Sequence, residues 1–233
     1  MNDFSNRVVL ITGANGGLGT DITEEFLAAG AQVAGTSLAI ADADFPNPRF
    51  TAFAADLTDA QAAQKLAGEV IRRFQKIDVL VHVMGGFAGG KPIPETENAI
   101  WERMIGINLM SAVNILRAVI PEMRQATRGR IIAIGSRNAA EPAANVSAYS
   151  ASKAALLSLV QTAALENKDL DITANVILPA TMNTLANRKA SPTADPAKWV
   201  QPKRVAELVA FLASPAGAQI TGAAIPVYGR EAG

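Results

Sequence analysis

The sequence lacks cysteine and contains a single histidine, His82. Without cysteine the chain has neither a disulfide framework nor thiolate chemistry. With one histidine it cannot build a metal site from several imidazoles, and we expect no metal site. Because His82 follows the apolar run Val79-Leu80-Val81, we expect a buried histidine with satisfied hydrogen bonds rather than a proton-transfer group.

An excess of either charge is also missing, since Lys plus Arg and Asp plus Glu both number 21. A protein that binds nucleic acid non-specifically needs a basic face, which this balance does not supply. No segment reaches the roughly 18 consecutive apolar residues of a membrane span, and the N-terminal stretch Met1–Arg7 does not resemble a signal peptide. These features predict a cytoplasmic protein without nucleic-acid or membrane partners.

Short apolar runs alternate with helical patterns along the 233 residues. Runs such as Val8–Ile11 are apolar on both faces, which is typical of parallel sheets covered on both sides. The pattern predicts an α/β, doubly wound, Rossmann-like parallel sheet of about seven strands with helices on both faces, in a single domain over residues 1–233. The predicted strands are Arg7–Thr12, Gln32–Thr36, Arg49–Ala54, Ile77–Val83, Arg130–Gly135, Asp171–Leu178 and Ala223–Val227.

Two long helices are predicted over Asn98–Arg124 and Ala148–Asn167. The segment Met182–Pro202 interrupts the alternation with several prolines and asparagines. A turn-rich stretch of this length inside a compact domain is usually functional, often as a lid. We expect a substrate lid around residues 182–202, with Met182 and Trp199 as apolar substrate contacts.

A glycine-rich loop, Thr12-Gly13-Ala14-Asn15-Gly16-Gly17-Leu18-Gly19, follows the first strand and opens a helix. Glycines let the backbone approach a pyrophosphate, and the helix N-terminus supplies N–H donors. The loop resembles the glycine-rich motif of the short-chain dehydrogenase/reductase family, and the resemblance covers nearly the whole chain. It implies an NAD or NADP cofactor bound by Gly13, Asn15, Gly16, Gly17, Leu18 and Gly19.

Tyr149 and Lys153 stand four residues apart, on one face of a predicted helix. A neighbouring ammonium lowers the pKa of a phenol, so such a pair can exchange a proton with a carbonyl or alcohol oxygen. Ser136 ends a strand and offers a hydroxyl to hold that oxygen. The family resemblance implies that Asn108 joins a water-mediated proton relay to Lys153.

The resemblance also implies further cofactor contacts. They are Asp56 and Leu57 at the adenine, Gly85 after the fourth strand, Pro179 and Thr184 at the nicotinamide, and Tyr149 and Lys153 themselves. At the end of the second strand an acid would accept ribose hydroxyl hydrogen bonds and repel a 2′-phosphate. Ser37 stands there instead, so we expect a slight preference for NADP.

The stretches Val83–Gly90 and Leu178–Thr184 resemble the dihydropteridine-reductase-like branch of the family, which acts on a quinonoid pterin. Ser136 departs from that branch, which lacks a serine at this position. With Tyr149 and Lys153 it restores the triad of the ketone-reducing members of the family. The predicted function is therefore NAD(P)-dependent hydride transfer to or from a small carbonyl or alcohol, or a quinonoid pterin-like substrate.

Two other functions stay open. One is reduction of 3-oxoacyl groups on a carrier protein, with Arg124, Arg128 and Arg130 as a docking patch for an acidic carrier. The other is a non-catalytic NAD(P)-binding sensor, although a sensor would be expected to have lost part of the catalytic set. The resemblance implies that the two long helices pair between subunits, giving a homodimer or homotetramer.

Overall fold

The computed structural model describes residues 3–230, so both ends of the predicted 1–233 domain, residues 1–2 and 231–233, lie outside it. Seven strands form one sheet in the order β3-β2-β1-β4-β5-β6-β7, and every neighbouring pair is parallel. The predicted fold is confirmed, with strand ends shifted by at most two residues. The strands are β1 Val8–Thr12, β2 Gln32–Ser37, β3 Phe50–Ala54, β4 Val79–His82, β5 Arg128–Ile134, β6 Asp171–Pro179 and β7 Ala224–Val227.

Helices cover both faces of the sheet. Alternate residues of β1 serve the two layers: Val8 and Leu10 pack with α2, α4 and α5, whereas Val9 and Ile11 pack with α1 and α7. Side chains of a strand alternate between faces, so the apolar run Val8–Ile11 of β1 fits only a sheet that is covered by helices on both faces. The helices are α1 Gly19–Ala28, α2 Ala60–Phe74, α3 Asn98–Ile105, α4 Ser111–Gln125, α5 Ser147–Glu166, α6 Leu185–Ala190 and α7 Pro202–Ala213.

The helical stretch predicted over Asn98–Arg124 is present, but it is not α-helical throughout. A π-helical turn, Gly106–Met110, separates α3 from α4 and carries the buried Asn108. Such turns insert one residue into a helix and occur often at functional sites. By length and composition alone the helical stretch Asn98–Gln125 passes as a membrane span, but half of its apolar window is buried inside the protein, as in a core helix.

The order of the sheet reverses at β1, which pairs with β2 on one side and β4 on the other. At such a switch point the loops after the two neighbouring strands diverge and leave a crevice. The hydroxyl of Thr12, the last residue of β1, accepts hydrogen bonds from the backbone N–H groups of Val83 and Met84, both at 3.1 Å. The loop after β4 is thereby fixed to the end of β1.

The same hydroxyl determines the state of His82, the last residue of β4. Thr12 Oγ1 lies 3.0 Å from His82 Nδ1, and because this oxygen already accepts two N–H groups, its own hydrogen is directed to Nδ1. The imidazole proton then sits on Nε2, 3.4 Å from Ser111 Oγ. Burial and the nearby Lys153 ammonium lower the pKa of His82 to about 3. The expected buried, satisfied histidine is confirmed.

We predict that His82 stays neutral, as the Nε2–H tautomer, from pH 8 down to at least pH 5. Desolvation disfavours the imidazolium, so the folded protein should show no histidine titration near the ordinary pKa of about 6.5. Because the chain has one histidine, a long-range ¹H–¹⁵N NMR spectrum contains a single imidazole and needs no assignment. Unfolding in urea should restore ordinary titration, and a folded-state midpoint above pH 6 would contradict the prediction.

Candidate active site

The glycine loop folds back tightly upon itself between β1 and α1. Gly13 has a φ of +66°, and a Cβ there would lie 3.1 Å from Met84 N. A Cβ on Gly19 would lie 1.9 Å from the carbonyl oxygen of Gly13. The N-cap of α1 is Leu18, which has no side-chain acceptor for the first N–H groups of the helix. The loop thus combines a close backbone approach with a helix N-terminus that no side chain caps, as a pyrophosphate requires.

Residues distant in sequence approach this loop from the end of β6. A Cβ on Gly17 would lie 3.1 Å from Cγ2 of Thr184, which also caps α6 by accepting a hydrogen bond from Asn187 N at 3.3 Å. Pro179 is the last residue of β6. The structure therefore brings Thr184 against the glycine loop, whereas the nicotinamide contacts of Thr184 and Pro179 stay predictions.

The proton-transfer candidates meet where β5 ends and α5 begins. Ser136 follows β5, and its side chain lies within hydrogen-bonding reach of the Tyr149 side chain. Lys153 lies one turn further along α5, buried, and its Nζ donates to the carbonyl oxygen of Ile134 at 2.9 Å. The sequence-predicted Ser136, Tyr149 and Lys153 are thus brought together.

Burial determines the electrostatics of this group. Desolvation lowers the pKa of Lys153 to about 8. Desolvation also raises the pKa of Tyr149 above its ordinary value, and the hydrogen bond with Ser136 opposes that rise. Tyr149 is therefore a protonated phenol at neutral pH, and it can donate a proton to an oxygen that Ser136 holds.

Asn108 connects the π-helical turn to the loop after β4 and to α5. Its Oδ1 accepts from Gly86 N at 2.9 Å, and its Nδ2 donates to the carbonyl of Gly86 and to Ser152 Oγ, each at 3.0 Å. Ser152 in turn donates to the carbonyl of Tyr149 at 2.7 Å. Through Ser152, the Asn108 amide therefore positions the helical turn that carries Tyr149. The part of Asn108 in a water-mediated relay stays a prediction.

Gly85 fills the narrow space between the two polar groups. A Cβ at this position would lie 2.7 Å from Asn108 Oδ1 and 3.1 Å from Lys153 Nζ. Any larger residue would push the asparagine and the lysine out of place. Gly85 is therefore required by the geometry of the site, independently of the cofactor contact predicted for it.

At the other end of the crevice, Ser37 and Asn15 meet at the carbonyl of Ala39. Asn15 Nδ2 donates to that oxygen at 2.7 Å, and Ser37 Oγ donates to it at 3.4 Å. Gly16 N donates to the carbonyl of Gly13 at 3.0 Å, which closes the loop. Ser37 therefore stands beside the glycine loop, as its predicted place near the adenosine requires.

Asp56 and Leu57 lie further along the sheet edge, after β3. Asp56 Oδ1 accepts hydrogen bonds from Thr58 N and Oγ1 at 2.9 and 2.7 Å, and these bonds lower the pKa of Asp56. The Leu57 side chain is buried in the core, so only its backbone can face a ligand. The cap of α2 is Asp59, and the adenine contacts of Asp56 and Leu57 stay predictions.

The predicted lid is fixed at its base. Met182 and Val200 form a parallel bridge, and Asn183 N donates to the carbonyl of Val200 at 2.8 Å. Trp199 is only 6 % exposed, whereas Leu185 on the intervening helix α6 is 70 % exposed. Met182 and Trp199 belong to this base rather than to the outer part, and their substrate contacts and the lid itself stay predictions.

Two residues at the site were missed by the sequence interpretation. Ser152 stands three residues after Tyr149, one helical turn, and that spacing was the available signal. Phe87 packs its ring edge-on against Tyr149, with ring centroids 5.0 Å apart, although it is 63 % exposed. Nothing in the glycine-rich surroundings of Phe87 indicates this contact, because it depends on how the loop after β4 folds.

Comparison with known proteins identifies the family. The short chain dehydrogenase family matches residues 7–195. The short chain dehydrogenase ausX of Penicillium brasilianum is 33 % identical over 181 residues, which cover 77 % of this chain and 70 % of ausX.

Two solved structures share the fold. ElxO with NADP bound has a TM-score of 0.90 at 23 % identity, covering 98 % of both chains. The 3-ketoacyl-(acyl-carrier-protein) reductase from Brucella melitensis complexed with NADH has a TM-score of 0.87 at 26 % identity, covering 96 % of this chain and 98 % of that one. The chain therefore belongs to the short-chain dehydrogenase/reductase family of oxidoreductases.

Proposed function

We propose that the protein is an NAD(P)-dependent reductase of a small carbonyl compound, and that it also oxidises the corresponding alcohol. The observation that carries this proposal is the proximity of the Ser136 and Tyr149 side chains, with the buried Lys153 one turn away on α5. The glycine loop, Gly85, Pro179 and Thr184 are the residues that would hold the dinucleotide. When bound, the nicotinamide supplies hydride chemistry.

The residues of this chain perform the proton half of the reaction. Ser136 donates a hydrogen bond to the carbonyl oxygen and places it beside Tyr149. Tyr149 Oη then donates its proton to that oxygen, and the Lys153 ammonium stabilises the phenolate left behind. Because the pKa of Tyr149 is raised, its hydroxyl carries a proton at neutral pH, as the donor role in reduction requires.

A free carbonyl substrate is favoured over a quinonoid pterin. Ser136 belongs to the set of residues that reduces ketones, and its side chain lies within hydrogen-bonding reach of Tyr149. The likeness of two stretches to the dihydropteridine-reductase-like branch remains the support for a pterin. We therefore place the pterin second.

A carrier-bound 3-oxoacyl substrate is the other candidate, and the near full-length likeness to the Brucella melitensis enzyme favours it. The arginines of the expected docking patch are engaged within the chain, however. Arg124 donates to Asn167 at 2.6 Å, Arg128 pairs with Asp78 at 3.4 Å, and Arg130 pairs with Asp171 at 2.8 Å. They form intramolecular contacts rather than a free basic patch, so we favour a free substrate.

A small cavity of about 140 Å³ supports a small substrate. It lies between the loop after β4 and the first turn of α5, and Ala88, Val146, Ser147 and Ala148 line part of it. Within residues 3–230, Ser147 Oγ is buried without a hydrogen-bond partner. The cavity directly precedes Tyr149 in the chain, and the polar side chains of Lys91, Thr96, Glu97 and Asn145 complete its lining together with Gly89 and Ile100.

The site argues against a non-catalytic sensor, because it keeps all four predicted catalytic residues, Asn108, Ser136, Tyr149 and Lys153.

We also propose a cytoplasmic homodimer or homotetramer that pairs through α4 and α5. Leu165, on α5, is 71 % exposed and gives that helix an apolar surface.

The substrate class is tested by following NADH and NADPH oxidation with free ketones, quinones, quinonoid dihydropterin and a 3-oxoacyl carrier protein. We expect free ketones to give the highest kcat/KM. A 3-oxoacyl thioester of a small thiol is the matched control for the carrier, and we expect equal efficiency with both because the arginines are engaged. Turnover of the pterin alone, or a strong preference for the carrier, would contradict the proposal.

Tyr149→Phe should lower kcat by about 10³-fold, because it removes the proton donor and general acid catalysis contributes about 10²–10⁴-fold. The phenyl ring keeps the packing against Phe87, and the glycine loop is untouched. Dinucleotide affinity, measured by calorimetry, should therefore stay within about threefold of wild type. Near-normal turnover in this variant would reject the mechanism.

The kcat/KM for carbonyl reduction should be level below pH 8 and fall at higher pH. Burial lowers the pKa of Lys153 to about 8, so the ammonium is present below that pH and is lost above it. Its loss removes the charge that stabilises the phenolate. Dinucleotide affinity measured over the same pH range separates this effect from cofactor binding, and a profile that stays level to pH 10 would refute the role of Lys153.

A further inference from the structure

A carboxylate from outside β2 reaches the adenosine end of the crevice. Asn15, in the glycine loop, donates from Nδ2 to Asp44 Oδ2 at 2.9 Å as well as to the carbonyl of Ala39 at 2.7 Å. Asp44 belongs to a 3₁₀ turn, Asp42–Asp44, in the segment between β2 and β3. The turn brings this acid back to the level of Ser37, seven residues earlier, where β2 ends.

The charge of Asp44 is held in place but not neutralised. Its Oδ2 also accepts from Ala41 N at 3.3 Å, and both of its donors are uncharged. None of the ion pairs found within residues 3–230 involves Asp44. Gly16 and Leu38, the positions beside the loop where a basic side chain would face the ribose, carry no charge. This end of the crevice is therefore negative.

The other acid of the turn points elsewhere. Asp42 Oδ1 accepts from Ala52 N, in β3, at 2.8 Å. Of the two carboxylates of this turn, only that of Asp44 is bonded to the glycine loop. Asp42 therefore offers a matched control for Asp44, because its carboxylate has the same charge and lies in the same turn but is bonded to β3 and not to the glycine loop.

In dinucleotide-binding folds the adenosine ribose lies between the glycine loop and the end of the second strand. An acid there accepts hydrogen bonds from the ribose hydroxyls and repels a 2′-phosphate. We propose that Asp44 performs this role in place of the missing acid at Ser37, and that the protein prefers NAD(H) to NADP(H). This inference rests on the proposed function and reverses the preference expected from Ser37 alone.

The test is calorimetric measurement of the dissociation constants of NAD⁺ and NADP⁺ for wild type, Asp44→Asn and Asp42→Asn. The amide oxygen of asparagine keeps the hydrogen bond from Asn15, so Asp44→Asn removes only the charge. We expect wild type to bind NAD⁺ at least about tenfold more tightly than NADP⁺, and Asp44→Asn to reduce that ratio about tenfold. Asp42→Asn should leave the ratio within about twofold of wild type.

Salt dependence gives a second measure of the same charge. Raising the ionic strength should shrink the wild-type ratio, because an exposed charge is screened, and should change the Asp44→Asn ratio much less. Asp44→Ser removes the charge with a smaller side chain and repeats the test if the first variant fails to fold.

A wild-type preference for NADP⁺, or an unchanged ratio in both Asp44 variants, would overturn the inference while leaving the proposed function intact. Failure of wild type to bind either dinucleotide would instead overturn the proposed function, and this inference with it.

Discussion

Because all seven strands run in one direction, their carboxyl ends meet at one edge of the sheet, and the candidate site depends on that constraint. The reversal of strand order at β1 opens a crevice at this edge. Thr12 fixes its floor, since one hydroxyl accepts the N–H groups of Val83 and Met84 and donates to His82. This one buried threonine thus organises the junction of two loops and one imidazole.

The buried Lys153 imposes the second constraint on the site. A buried ammonium disfavours a second positive charge nearby. His82 accordingly stays neutral, because burial and the Lys153 charge lower its pKa. The carbonyl of Ile134 partly replaces the water that Lys153 has lost. The lysine is therefore charged at neutral pH, although its pKa of about 8 lies close by. A phenolate that forms beside it would stabilise the ammonium form.

The π-helical turn illustrates what a periodic pattern does not reveal. Apolar residues repeat through Asn98–Gln125 in a way that predicts one helix, and the extra residue of the turn disturbs that repeat only slightly. The turn nevertheless places the Asn108 amide between the backbone of Gly86 and Ser152. A polar residue buried in a helix needs partners from other elements, and those partners are 22 and 44 residues away in the chain.

The sequence alone determined the strands, the glycine loop and the Tyr149–Lys153 spacing, because each follows from local periodicity or from residues within one turn of each other. It also named Asn108, Ser136 and Thr184 through family resemblance, and the structure brings each of these to the crevice. Only the tertiary structure decided the tautomer of His82, the edge-on contact of Phe87 with Tyr149, and the arrival of Asp44 beside Asn15. These contacts join residues 29 to 70 positions apart or depend on loop conformation. No local sequence pattern encodes them, because the packing of distant elements determines which residues meet.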